Sequence, residues 1–188
     1  MISSLNTGLS YVMLGIVFLA MLSIVFVSWR NGISPMPSSV KVRSTVASEI
    51  NRLSGTGTIV EAGSGWGTLG LHLARQCTGW KIVGLENSPV PLWISRVFLR
   101  WASTVNGISR ESITFIKADI YTYPYGANDV IVCYLYPGAM KRLSEMANNR
   151  LSPGTRIISV CFALSGWEPE RIVTCGDLYR TKVYVYSI

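Results

Sequence analysis

The stretch from Thr58 to Gly70, TIVEAGSGWGTLG, constrains the fold of this chain more than any other. The β-branched pair Ile59 and Val60 leads into Glu61, and Gly63, Gly65 and Gly67 follow before a helical pattern begins. That order predicts a strand, a tight glycine turn and a helix N-terminus. Glycine permits positive φ and a close approach of ligand to backbone, and the first helical N–H groups then face that ligand. Turns of this kind bind nucleotide-type cofactors. Two patterns overlap in it. Gly65 to Gly70 reads G-x-G-x-x-G, a dinucleotide fingerprint that is weak alone, while Glu61 to Gly67 reads acidic-x-G-x-G-x-G.

Downstream, strand and helix patterns alternate. A helix is expected over Thr68 to Gln76, then a strand over Trp80 to Glu86 that ends in an acid about twenty residues past Gly65, the spacing at which a carboxylate accepts ribose hydroxyls. Asn87 to Pro91 turns into a helix from Leu92 to Val105 crowded with Trp93, Phe98, Leu99 and Trp101. Packing of these aromatics on the sheet is the plain expectation, and contact of part of that face with a lipid interface is the alternative. Ser112 to Lys117 reads as a third strand, ending in Ala118, Asp119 and Ile120. Asp129 to Leu135 is a fourth, apolar enough to be buried on both faces, and Tyr136 to Gly138 opens a helix to Leu151. A fifth strand runs from Arg156 to Ala163, and two short β patterns, near Arg171 to Thr174 and Thr181 to Tyr186, are joined by a turn at Gly176 and Asp177. Strands alternating with helices and closing on a hairpin argue for an α/β, Rossmann-like sheet, mostly parallel, with an antiparallel C-terminal hairpin strand.

The N-terminal part is of another kind. Gly8 to Val27 carries no charged residue, and at ~1.5 Å per residue it would measure about 30 Å, a bilayer core. One transmembrane helix is expected, rather than a cleaved signal peptide, because Met1 to Thr7 has no Lys or Arg and Trp29 and Arg30 look like interfacial anchors. The positive side chains lie after it (Arg30, Lys41, Arg43, Arg52), which places the C-terminal part inside. The expected organisation is a residue 1–30 anchor, a 31–37 linker broken by Pro35 and Pro37, and a 38–188 domain opened by a helix capped at Ser38 or Ser39. The expected location is the inner (cytoplasmic) membrane, single-pass.

Composition narrows the chemistry. The formal charge of +7 comes from Lys and Arg spread over the whole chain, with no aromatic-basic module, so an anionic leaflet explains it better than nucleic acid. The four cysteines form no C-x-x-C pair and His72 is the single histidine, so no metal site is expected. Ligands in open α/β sheets sit at the carboxyl ends of strands. Those ends here carry Glu61, Gly63, Ser64, Gly65, Trp66 and Gly67, then Glu86 and Asn87, then Ala118, Asp119 and Ile120, then Tyr134 to Pro137. A carboxylate beside a pyrophosphate costs Coulomb energy. S-adenosylmethionine carries an ammonium and a sulfonium and no phosphate, so Glu61 near its methionine end, Glu86 on ribose and Asp119 on adenine make electrostatic sense together. Each acid also has a plainer use: Glu61 can cap the turn that follows, Glu86 can be a loop carboxylate, and Asp119 an ordinary turn residue. Trp66 is expected at the cofactor mouth, with packing its rival.

With EAGSGWG at Glu61 to Gly67, GLENSP at Gly84 to Pro89, KAD at Lys117 to Asp119 and VCYLYPGAM at Val132 to Met140, the chain resembles class I S-adenosylmethionine-dependent methyltransferases over roughly residues 38 to 188. The apolar N-terminus, the proline linker and the YLYP turn resemble, more narrowly, small bacterial membrane-anchored methyltransferases. Those in turn are similar to the mitochondrial lysine methyltransferases of the adenine nucleotide translocator and the ATP synthase c-subunit. The lysine enzymes usually carry an acid and an arginine where this chain has Trp66 and Thr68. The resemblance implies S-adenosyl-L-methionine as cofactor, with Tyr134, Tyr136 and Pro137 where acceptors meet the methyl group. It also implies a protein substrate in or near the membrane. A lipid or quinone acceptor is the alternative, and a nicotinamide-dependent reductase or a non-catalytic tethered module are the remaining ones.

Overall fold

The computed structural model describes residues 2–31, 38–53, 55–126 and 129–188, and of residues 2–6, 23–24, 27–31 and 106 the backbone alone. The chain divides into two compact units, Met1–Ser34 and Pro35–Ile188. The first holds α1 (Ile2–Asn31), whose described apolar side chains, among them Leu9, Leu14, Phe18 and Phe26, are exposed. Among the described residues no helix is long and apolar enough to cross a membrane. The transmembrane expectation for Gly8 to Val27 is corrected accordingly. The side chains of Trp29 and Arg30 and residues 32–37 of the expected linker lie outside the described residues.

The second unit begins with α2 (Val40–Asn51), where Ser39 is the N-cap and its Oγ accepts from Val42 N–H at 3.3 Å. Val42, Val46 and Ile50 recur every fourth residue and form the buried face. There follow β1 (Thr58–Ala62), α3 (Thr68–Gln76), β2 (Lys81–Glu86), α4 (Pro89–Asn106), β3 (Ile113–Lys117), β4 (Val130–Cys133), α5 (Pro137–Arg150), β5 (Arg156–Val160), β6 (Arg171–Thr174) and β7 (Lys182–Ser187). The seven strands form one sheet in the order β3-β2-β1-β4-β5-β7-β6. β3, β2, β1, β4 and β5 are parallel neighbours, and β7 runs antiparallel to both β5 and β6. β6 is therefore parallel to β5, and β7 alone runs against the sheet, as the C-terminal hairpin pattern predicts.

One apolar core joins α2, α3 and α4 to Ile59, Ile82, Ile113 and Val130, and a second joins α5 to Ala62, Ile131, Cys133, Ile157 and Tyr186. All four residues of β4 are buried, as a central parallel strand covered on both faces requires. β4 is shorter than the apolar run suggests, because Tyr134 and Leu135 leave the ladder to enter α5 at Pro137. α4 departs from the plain expectation more sharply. Leu92, Ser95 and Ala102 turn toward the sheet, whereas Trp93 and Trp101 are exposed. A helix presents i, i+3 and i+10 on one side, and both tryptophans fall on the other.

Candidate active site

The strand order changes direction between β1 and β4, the switch point where open α/β sheets hold ligands. The loop after β1 lies there. Gly63, Gly65 and Gly67 take φ of +80°, +51° and +76°, and the N–H groups of Gly63 and Ser64 both donate to the Leu85 carbonyl, at 3.0 and 2.8 Å. Glu86 fixes the other side of the loop: Oε2 accepts from Gly65 N–H and Oε1 from Ser88 N–H, each at 2.8 Å. A carboxylate has about four acceptor sites, so this buried Glu86 retains capacity for ligand hydroxyls. It serves the fold as the loop carboxylate.

Glu61 is fully buried and its carboxyl faces the first turn of α3. Gly70 N–H hydrogen-bonds to it, while Oε2 has no partner among the described residues. Gly67, the N-cap of α3, has no side chain to offer, so Glu61 reaches across from β1 to serve a helix N–H that would otherwise be orphaned. Burial pushes its carboxyl up to about 8, opposed by the Gly70 hydrogen bond and aided by the charge of Glu86. The turn-capping use of this acid is therefore present in the fold. Ser64 Oγ, in the same turn, is likewise buried without a partner among the described residues.

Phe115 escaped the sequence reading. A Cβ placed on Gly67 would lie 2.6 Å from its ring, and one on Gly84, its ladder neighbour, would also strike it. The ring thus occupies the floor under the glycine turn, and Gly67 is demanded by both its φ and this contact. The alternation in ITFIK marks Phe115 as inward, but nothing local in it announces a ring beneath a loop fifty positions earlier. Likewise Leu135 packs against Gly63, where a Cβ would come within 2.9 Å of Leu135 Cδ2.

At the end of β3, Ala118 N–H donates to the Glu86 carbonyl at 3.2 Å, so the KAD segment adjoins the end of β2. Asp119 is exposed and its Oδ1 accepts from Tyr121 N–H at 2.8 Å, which makes it a turn residue as well as a strand-end acid. Ala118 and Ile120 are half-buried, Asn87 is exposed and accepts from Ser88 Oγ at 3.1 Å, and Trp66 is half-buried on the turn. The two tyrosines after β4 diverge. Tyr134 packs against the α2–α3–α4 core and Tyr136, the N-cap of α5, against the α5 core. They do not share one face. Burial raises the Tyr134 hydroxyl above its ordinary pKa, helped by Cys161 and Asp177 nearby, which keeps it a neutral hydrogen-bonding group. Pro137 is exposed at the first turn of α5.

The β6–β7 turn reaches the same edge, since β6 parallels β5. Its tip exposes Leu178 by 90% and Tyr179 by 86%. It is nevertheless held rigidly: Asp177 accepts from Thr181 N–H at 2.8 Å and Thr181 Oγ at 2.6 Å, and Lys41 Nζ donates to the Gly176 carbonyl at 2.6 Å. Arg180 (φ 50°) and Cys161 (φ 73°) take left-handed backbone beside it, a local strain that recurs at functional edges. The sequence marked this turn but not its apolar tip. By contrast, a cavity of about 190 Å³ among Glu49, Arg52, Arg156, Glu170 and Arg171 lies at the amino edge and is laced with ion pairs.

His72 stands on α3, away from the strand ends, and burial with Arg43 and Arg75 nearby lowers its pKa. Among the described residues no group of three or more His, Cys, Asp or Glu could hold a metal ion. The left-handed glycine turn, the pinned Glu86 carboxylate and two unpartnered buried oxygens fit a nucleoside-type ligand with hydroxyls and positive charge, and no basic side chain lies in the loop to hold a pyrophosphate.

Comparison with known proteins gives the same reading. The model of the ANTKMT methyltransferase domain matches residues 61–171. A protein-lysine N-methyltransferase of Saccharolobus islandicus is 24% identical over 160 residues, 82% of this chain and 91% of that protein. The crystal structure of an RNA methyltransferase from Salinibacter ruber, in complex with S-adenosyl-L-homocysteine, superposes with a TM-score of 0.65 at 25% identity, covering 81% of this chain and 94% of that one. A precorrin 8w decarboxylase from Methanobacterium thermoautotrophicum, at 16% identity and TM-score 0.58, covers 82% of this chain and 92% of its own and shares the fold. The match covers more than half of the chain and spans the glycine turn, Glu86, Asp119 and the YLYP segment, so the chain belongs to the ANTKMT methyltransferase domain family and is an S-adenosylmethionine-dependent methyltransferase.

Proposed function

We propose that this protein is a protein-lysine N-methyltransferase working at the inner face of the cytoplasmic membrane. The observation that carries the acceptor class is the open carboxyl edge beside Tyr134, bordered by the rigid, exposed Leu178–Tyr179 tip. Such an edge suits a chain or surface laid across it better than an enclosed small molecule. Similarity to the Saccharolobus islandicus protein-lysine enzyme supports the same reading. The membrane location is supported by the exposed apolar side chains of α1, not by a span.

Bound S-adenosylmethionine supplies a methyl group already activated on a sulfonium. In this reading Glu61, Ser64 and the backbone of Gly63 to Gly67 hold its methionine part, with Trp66 at the mouth. Glu86 and Asn87 take the ribose, and Ala118, Asp119 and Ile120 the adenine. What remains for the protein is alignment, and of the three expected residues Tyr134 borders the place of an amine held in line at about 3 Å. The neutral Tyr134 hydroxyl orients such an amine without competing for its proton. No histidine base is needed, because the lysine amine gives its proton to solvent before it attacks.

Membranes incubated with the protein and methyl-labelled S-adenosylmethionine, then separated into protein, lipid and RNA, test this. Label in protein, recovered as methyl-lysine after hydrolysis, is expected. Label confined to lipid identifies the lipid or quinone enzyme instead, and label confined to RNA overturns the acceptor class altogether.

A further inference from the structure

Helix α4 carries an apolar face that the catalytic unit does not cover. Trp93, Val97, Trp101 and Val105 recur every fourth residue, with Phe98 beside them, and all are exposed, Trp93 by 67% and Trp101 by 61%. At ~100° per residue these five side chains span an arc of about 140°. Arg96 and Arg100 border that arc on the Trp93 side, both exposed, and the helix contains no acid. Its inner face is fixed: Leu92, Ser95 and Ala102 are buried, and Arg96 Nε donates to the Phe115 carbonyl at 3.0 Å. The exposed face is thus rigid before any partner arrives.

We propose that α4 lies flat on an anionic lipid surface, with Trp93 and Trp101 at headgroup depth and Arg100 on lipid phosphates. Tryptophan has one apolar body and one N–H and concentrates at the membrane interface, while arginine beside an anionic leaflet gains from the surface potential. Apolar arc, basic rim and absent acids form the pattern of a helix resting in the interface plane. A second copy of the chain fits less well. Packing α4 on itself sets arginine against arginine in a protein of formal charge +7. The contact requires no spanning segment and uses residues of the catalytic unit alone. Because α4 starts at Pro89, directly after Glu86 to Ser88, it brings the cofactor edge close to the headgroup layer.

The test uses the full chain and vesicles of equal parts phosphatidylglycerol and phosphatidylcholine, or phosphatidylcholine alone, with and without brominated acyl chains. Subtracting the tryptophan emission of a Trp93→Phe/Trp101→Phe variant from that of the unaltered protein isolates the two side chains, whatever α1 does. On anionic vesicles this difference emission is expected to shift to the blue and to be quenched by the brominated lipid. Arg100→Glu is expected to weaken that quenching titration about fivefold. Difference emission that stays unshifted and unquenched while the protein is vesicle-bound overturns the proposal. So does a lipid-free dimer in sedimentation that Trp93→Ser/Trp101→Ser abolishes, since the face would then belong to a second copy.

Discussion

Glu61 joins the fold and the site through one carboxyl, and its ionisation reports on both. Its folded pKa, about 8, stands above the ordinary value of 4.5, so the fold favours the protonated form. The stability this contributes is complete below the unfolded pKa and is lost as pH rises through about 8. The ligand-free protein is expected to lose roughly 10 °C of Tm between about pH 5 and pH 9 beyond the drift of a Glu61→Gln variant, followed by calorimetry. Parallel curves for the two proteins would remove Glu61 from this role. Glu86 predicts something different. It accepts two loop N–H bonds, and in the proposed reading it also takes the ribose, so Glu86→Ala leaves the turn unpinned and those hydroxyls unpartnered. Affinity for S-adenosylhomocysteine is expected to fall about a hundredfold by titration calorimetry, and an unchanged Kd would refute the site map.

Among the elements, local pattern and tertiary placement part company in instructive places. α3 was legible to the residue because Gly67 and Cys77 bracket a short amphipathic stretch. The three strand-end acids were legible because each follows an apolar run by one step. The outward turn of Trp93 and Trp101 was not, since aromatic content says "buried" while only the helical phase against the sheet decides it. Nor was the Phe115 floor, which depends on two strands and a loop coming into register. Tyr134 and Tyr136 sit two residues apart and read as a pair, yet the chain bends between strand and helix and sends them to different cores. The β6–β7 tip belongs to the same class. Its exposed Leu178 and Tyr179 cost nothing in the fold, so Leu178→Ser/Tyr179→Ser should leave Tm and S-adenosylhomocysteine affinity unchanged. Methyl transfer to membrane protein should drop about tenfold, mostly through KM. Equal rates would assign the tip no part in acceptor docking.

For the whole molecule, cofactor choice is a matter of linkage. A ligand that binds only the folded chain stabilises it by about 2.7 kcal/mol at a hundredfold excess over Kd. S-adenosylhomocysteine is expected to raise Tm accordingly, and NADH at equal concentration to leave it unmoved, since the crevice has acids where a pyrophosphate would need cations. The strand order carries a further consequence, for biosynthesis. β7, Lys182–Ser187, is made after every strand it pairs with, yet it sits between β5 and β6. While the ribosome still shields it, β5 has an open edge and β6 no neighbour at all, so a nascent chain has its cofactor half assembled beside a ready template for mispairing. Chains arrested with Lys182 inside the exit tunnel should be protease-sensitive from β5 onward, and chains arrested well beyond Ser187 resistant. The hairpin at the carboxyl edge is therefore also the latch that ends the protein's most vulnerable interval.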